Sequence, residues 1–227
     1  MILNPLESNF RTFRIEKVLE ENPEFAWVAN IINTDDQREE NRQAALEGCP
    51  KEDLWVFAYG SLMWDPAFLF SEVRRAYVPD FERRFILRDV MGGRGRPENP
   101  GLMAALDHGN GCDGLVFRIP HEIMHVETEI LWRRELVAPT YLPTFVSADI
   151  GEETVQALTF IADHDADQIS SDITREEQIQ YLVSGEGILG TSKEYLDNIV
   201  SQFAALGIVD EECSALLADV DGRMGLS

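Results

Sequence analysis

LWVFAYGSLMWDP, residues 54–66, is the stretch on which the fold turns. Leu54, Trp55, Val56, Phe57 and Ala58 make a continuous apolar run of strand length, the pattern of a buried strand. The run leads straight into Tyr59, Gly60, Ser61 and Leu62. A glycine there permits a tight turn and lets a ligand approach the main chain. The amides of residues 59–63 can then converge on an anion, or on an oxygen that gains negative charge during a reaction. Read alone, the same residues also describe a strand and a turn with no chemistry.

Working outward, the pattern differs on the two sides of Leu54. Upstream, DDQREENRQAALEG (35–48) is polar, rich in helix formers, and stopped by Gly48 and Pro50. Residues 1–50 therefore read as an N-terminal helical extension, and residues 51–227 as the principal domain. Downstream come short β-like runs: 76–81, 83–88, 102–106, 114–119, 143–150 and 155–162, with Gly, Pro, Asp and Asn between them. Their spacing predicts mostly antiparallel pairing in a compact sheet or small barrel. One helix is expected at about 120–136, opening at Pro120. Three more are expected at 174–184, 192–206 and about 209–222, with Thr191 to Glu194 (TSKE) as a capping box. The class is α+β.

The chain carries 19 basic and 41 acidic residues, a formal net charge of −22. Such a charge argues against nucleic acid and against anionic membrane surfaces as partners. The charge is uneven. Residues 74–134 hold 10 Arg, no Lys and 9 Asp or Glu, leaving 9 basic and 32 acidic residues elsewhere. An anionic small molecule would find its counter-charges in that locally neutral segment, although arginines there also serve as structural ion-pair partners. Cys49, Cys112 and Cys213 are odd in number and widely spaced, which suits free thiols in a reducing cytosol. Neither a signal peptide nor an apolar run of membrane-spanning length is visible. The expectation is a cytoplasmic protein.

Three motifs invite other readings. HEIMH (121–125) fits the zinc-hydrolase pattern H-E-x-x-H, but VETEIL follows where a third ligand belongs, and no metal is expected. At about 100° per residue, Ile123, Val126 and Ile130 define an apolar stripe that leaves His121 and His125 facing water. GEGILG (185–190) fits a dinucleotide fingerprint, but a helix precedes it where a strand is required, so it reads as a glycine-rich hinge between helices. Ser61 lacks the second glycine of a nucleophile elbow and a clearly placed base.

The ordered series decides among these. YGSLMWDP (59–66), FERRF (81–85), RGRPENPG (94–101), GLVFRIP (114–120), LWRRE (131–135) with Tyr141, and GTSKEYL (190–196) occur in this order. Together, over about residues 53–222, they resemble the glutathione-specific branch of the ChaC-like γ-glutamylcyclotransferases, most closely the longer bacterial form. The resemblance implies a small β-barrel flanked by helices. It implies cleavage of glutathione to 5-oxoproline and Cys-Gly without metal or cofactor. Ala58, Tyr59, Gly60, Ser61, Leu62 and Met63 match the loop that holds the γ-glutamyl group. Glu135, in the Arg134-Glu135 pair, matches the acid/base. Ala58 stands where many members carry Gly, which leaves fine substrate preference open. A cyclotransferase for other γ-glutamyl amides, or a non-catalytic regulator on the same scaffold, shares these motifs.

The chemistry needs these residue types. The α-amine of the substrate attacks its own γ-amide carbonyl, so the nucleophile arrives with the substrate and no Ser or Cys is required. A carboxylate at Glu135 takes the ammonium proton and delivers one to the departing nitrogen, help worth roughly 10²–10⁴ in rate. Its pKa is expected to be raised by partial burial against Trp132. Arg84, Arg94 and Arg96 are candidates for the substrate carboxylates, and Tyr195 for the pocket lining.

Overall fold

The computed structural model describes residues 1–47, 49 and 52–226. The helices α1 (Ile15–Glu21) and α2 (Asp35–Leu46) come first. They are followed by β1 (Leu54–Ala58), β2 (Glu72–Val78), β3 (Phe81–Asp89), β4 (Gly101–His108) and β5 (Cys112–Ile119). Then come α3 (Met124–Glu135), β6 (Tyr141–Ile150), β7 (Glu153–Ala162) and α4 (Arg175–Ser184). The two-residue strands β8 (Glu186–Gly187) and β9 (Gly190–Thr191) lead to α5 (Ser192–Leu206) and α6 (Glu211–Met224). The chain divides into two units: Ile2–Glu82 with Asp107–Asp163, and Met1 with Arg83–Leu106 and His164–Ser227.

The first unit is a closed five-stranded barrel with helices beside it. Its strands run β1-β5-β2-β6-β7, and β7 returns to β1. β1 pairs antiparallel with β5, from Leu54 opposite Ile119 to Ala58 opposite Leu115. β5 continues with β2, and β6 with β7, also antiparallel. The closing contact is parallel, with Trp55 opposite Ala157 and Val56 opposite Leu158. Closure removes the unpaired strand edges that an open sheet would expose. All of β1 except Trp55 is buried, as the apolar run 54–58 requires. The second half of β6 alternates instead, with Val146, Ala148 and Ile150 buried and Phe145 and Ser147 exposed.

β2 begins at Glu72, before the expected start at 76, and stops at Val78. Its first residues are charged and partly exposed, which hid them from a hydrophobic pattern. Pro79 and Asp80 form a turn into β3, and the Asp80 carbonyl accepts from Gly109 N at 3.1 Å. Pro79 has no N–H to give a ladder.

α2 and the 3-10 turn Asn9–Arg11 of the N-terminal segment bear on α3. α2 opens with a reciprocal capping box between Thr34 and Gln37. Its expected stop at Gly48 and Pro50, and with it the domain boundary at residue 50, lies outside the described residues. α3 is preceded by a single 3-10 turn, His121–Ile123. Its buried face is Met124, Glu127, Thr128, Ile130, Leu131 and Trp132. The stripe through Val126 is therefore corrected: Val126 is 59% exposed, and two polar residues occupy the covered face. They can do so because each has a distant partner. Glu127 accepts from Arg11 through both oxygens, at 2.8 and 2.9 Å, and Thr128 Oγ1 accepts from Arg42 at 3.0 Å. Among the described residues no helix is long and apolar enough to cross a membrane.

The second unit sets α4, α5 and α6 with β3 and β4, around Phe85, Leu102, Leu196, Ile199, Phe203, Leu216 and Val220. The side chains of Thr174, Thr191 and Asp210 cap the three helices, accepting from Glu177, Glu194 and Cys213 amides. GEGILG is a hairpin, β8 and β9, and not a hinge. It grips the glycine-rich loop that follows β3: Ile188 N donates to Gly92 O at 2.9 Å and Leu189 N to Gly93 O at 2.8 Å. A Cβ on Gly187 would lie 2.4 Å from both of those carbonyl oxygens, so glycine is required by close approach of two backbones.

Candidate active site

At the end of β1 the chain makes the turn expected from its glycine. Residues Ser61–Met63 form one 3-10 turn after Gly60. The turn's own bonds use the amides of Met63, Trp64 and Asp65, which donate to Gly60 O, Ser61 O and Ser61 O. Of the amides expected to converge, that of Met63 is thus spent, while those of Gly60, Ser61 and Leu62 lie outside the turn's bonding. Ala58, Tyr59, Gly60, Leu62 and Met63 are buried, and Ser61 is half-buried. The Tyr59 hydroxyl donates to Phe160 O at 2.9 Å, tying the turn to β7.

Glu135 is the last residue of α3. Its side chain is 16% exposed, and its Oε1 lies 3.3 Å from Nε of Arg134. Burial pushes its carboxyl above the usual carboxylate range, and the Arg134 guanidinium beside it opposes that only in part. Trp132, three residues back, is fully buried; its ring meets Phe160 edge-on at 5.2 Å, and Nε1 donates to Asn41 Oδ1 at 2.8 Å. Such an aromatic pair adds about 0.5–1.5 kcal/mol beyond its buried area.

Arg134 joins the two parts of the site. Its Nη2 donates to Ser61 Oγ at 2.9 Å and its Nη1 to the carbonyl of Asp65. The Asp65 carboxylate lies 3.8 Å from the same nitrogen. Within this unit, then, Ser61, Asp65 and Glu135 all neighbour one guanidinium. Sequence reasoning saw Arg134 only as a partner for Glu135. Its spacing to Ser61, 73 residues, gives no local signal.

The other candidates lie in the second unit. Arg84 Nη2 donates to Ser171 O at 3.2 Å. Arg94 Nη1 donates to Thr191 O at 2.8 Å, and the guanidinium stands 5.2 Å from the centre of the Tyr195 ring. Arg96 bridges by its backbone to Asn99. Asp89 is buried there, accepts from the Met91 and Arg94 amides, and is raised in pKa by that burial. Arg94 and Tyr195 therefore meet, with structural partners of their own. His121 and His125 lie at the far end of α3 from Glu135, and no group of three or more metal-donor side chains is present among the described residues.

The family described as ChaC-like protein matches residues 54–223. A relative from Escherichia coli, named glutathione-specific gamma-glutamylcyclotransferase, is 35% identical over 193 residues, covering 84% of this chain and 83% of its own. The chain belongs to the ChaC-like family. A human relative, glutathione-specific gamma-glutamylcyclotransferase 1, is 29% identical over 178 residues, 75% of this chain and 79% of its own. The crystal structure of a yeast γ-glutamyl cyclotransferase specific to glutathione superposes with a TM-score of 0.70 at 21% identity, covering 75% of this chain and 96% of that one. The ChaC-like match begins at β1 and runs through the barrel, so both the Ser61 turn and Glu135 lie inside it, while α1 and α2 precede it.

Proposed function

We propose that this protein is a glutathione-specific γ-glutamylcyclotransferase, an enzyme that cleaves glutathione to 5-oxoproline and Cys-Gly. The observation that carries the reading is the largely buried Glu135, whose carboxyl is pushed by burial above its usual range, one residue from the arginine that holds Ser61. Family membership and the Escherichia coli relative's name supply the substrate class.

The α-amine of the γ-glutamyl group attacks the γ-amide carbonyl carbon. A C–N bond closes the five-membered lactam, and the carbonyl electron pair moves onto oxygen. The amides of Gly60, Ser61 and Leu62 are the donors proposed for that oxyanion, each worth roughly 10²–10³ in rate in known cases. Glu135 accepts a proton from the attacking ammonium and passes it to the departing cysteinyl nitrogen. The second proton that the amine sheds on becoming the lactam N–H follows the same route, so Cys-Gly leaves as an ammonium. The γ-amide C–N bond then breaks as the carbonyl re-forms. Every atom of the two products comes from glutathione, so the step balances with neither water nor an electron carrier. A raised pKa suits both halves of the exchange, since a carboxyl poised nearer neutrality both takes and returns a proton. Ala58, Tyr59 and Met63, being buried, serve by shaping the turn.

Residues 51–227 are read as the cyclotransferase domain and residues 1–50 as an extension to it. Cys49, Cys112 and Cys213 form no disulfide with one another, which suits the proposed reducing cytoplasm. Incubation with glutathione and mass spectrometry of the products tests the reading. The expected result is equimolar 5-oxoproline and Cys-Gly. Glutathione left intact, or a strong preference for free γ-glutamyl amino acids in a substrate panel, overturns it.

A further inference from the structure

The C-terminal end of a helix has unsatisfied carbonyls and frays readily, yet a catalytic carboxylate placed there must be held to a fraction of an ångström. In this protein the N-terminal segment supplies the restraint. Phe10, in the 3-10 turn Asn9–Arg11, places its ring 4.2 Å from the guanidinium carbon of Arg134. Arg11 donates to Ala67 O at 3.0 Å and grips Glu127, and its own carbonyl accepts from Arg133 at 3.1 Å. Ala67 has a positive φ of 62°, a conformation that alanine holds only where neighbours fix it. Asn33 accounts for the carbonyls beyond Glu135: its amide donates to Val137 O at 2.8 Å and its side chain to Leu136 O at 3.1 Å. The family match begins at residue 54, so these contacts come from outside it.

We propose that Arg134 is a positioning residue that sets Glu135 against the Ser61 turn, and that Phe10 of the N-terminal segment locks its guanidinium in that pose. The proposal rests on the reading of Glu135 as the acid/base. Arg134 has a planar fork with fixed donor directions, and it spends them on Ser61 Oγ and Asp65 O while facing Glu135 with Nε. A lysine keeps the charge but cannot span the three groups at once. The Phe10 ring covers a face of the guanidinium, an attraction of about 0.5–2 kcal/mol that also excludes the alternative rotamers of a long side chain. The charged groups around the carboxyl are Arg134 on its own helix and, across Arg134, Asp65 from the segment after the turn.

The test uses the full chain, with initial rates of 5-oxoproline release across pH for wild type, Phe10→Leu, Phe10→Ala, Arg134→Lys, Arg134→Met and Glu135→Gln, and circular dichroism to measure the folded fraction. A misplaced acid/base is expected to lower kcat about 10–100-fold, with KM within about twofold, in Phe10→Ala and both Arg134 variants. Arg134→Met removes the cation that holds the Glu135 pKa down, so its acidic limb moves to higher pH. Arg134→Lys returns the limb toward wild type without restoring kcat, a split that a purely structural role does not produce. Wild-type kcat per folded molecule in Arg134→Lys and in Phe10→Leu and Phe10→Ala overturns the proposal, as does a loss confined to KM. If Glu135→Gln itself turns over at the wild-type rate, the acid/base reading has failed instead, and the two failures are told apart.

Discussion

The two ends of α3 make opposite impressions. The first end carries His121 and His125 in a pattern associated with metal hydrolysis, and the last carries a glutamate in the unremarked pair Arg134-Glu135. In the folded protein the first end is the plain one. His125 is exposed and His121 half-buried, and the backbone amide of His121, not its ring, makes the bond to Asp53 at 3.0 Å. The last end is desolvated, sits beside a main-chain turn, and is tied to it by a guanidinium. Spacing puts side chains on one face of a helix, whereas chemistry also requires that water be excluded and that a complementary group stand opposite. Only the second end meets those conditions.

The sharpest way to break this contrast is Glu135→Gln. Turnover of glutathione should fall by roughly 10²–10⁴, read as the rate of 5-oxoproline release. The same substitution should raise the midpoint of thermal unfolding at pH 7. Because burial lifts the folded-state pKa of Glu135 above its unfolded value, the native state binds more protons through the intervening window. The destabilisation is absent below the unfolded pKa. It grows as pH rises and is complete above the folded pKa, so a neutral amide recovers it at neutral pH. A variant that is both inactive and less stable at pH 7 would show that the carboxylate is a net structural asset. For the wild-type enzyme, a base that must be ionised gives kcat/KM an acidic limb centred above the ordinary carboxylate range of about 4.3. A limb at or below that value would mean that another group carries the proton.

Glu127, in the first turn of the same helix, sharpens the comparison from the structural side. It is 2% exposed, and it binds Arg11 through both oxygens and the Leu69 amide at 2.7 Å. Replacing one partner of a fully buried pair costs about 3–5 kcal/mol. Arg11 keeps 20% of its side chain exposed, so Glu127→Gln is expected to cost about 2–3 kcal/mol after screening. For a chain of this size that is a fall of roughly 5–10 °C in Tm. A shift of a degree or less in calorimetry would show that the N-terminal segment is not anchored through this residue.

What could be read before the structure follows from range of contact. β1 was legible because five consecutive apolar residues bury themselves whatever their neighbours are. The helix cap at Thr191 was local too, and the expected C-terminal helices match within a few residues. The covered face of α3 was not legible. Glu127 and Thr128 look like surface until Arg11 and Arg42, 116 and 86 residues away, satisfy them. GEGILG became a hairpin for the same reason, since its partner is the loop at Gly92 and Gly93. Glu135 was found through the resemblance. The part played by Arg134 was not, because Ser61 and Phe10 reach it across 73 and 124 residues.

The smallest expected effect is the most pointed test of the contrast. His121→Ala with His125→Ala should leave glutathione turnover within about twofold of wild type. The bond from residue 121 to Asp53 is made by the main chain and survives the substitution. Asp53 also keeps its 2.7 Å contact with Arg118 Nε, and the His121 ring nitrogen Nδ1 is buried without a partner, so its loss removes a small penalty. The carbonyl of His125, which faces Arg42, is likewise untouched. Stability should therefore move by no more than about 0.5 kcal/mol, the range of ordinary surface changes. Metal analysis on wild type and the double variant decides what the pattern is worth: one zinc per chain that disappears with the histidines, together with a large loss of turnover, would move the chemistry to the other end of the helix.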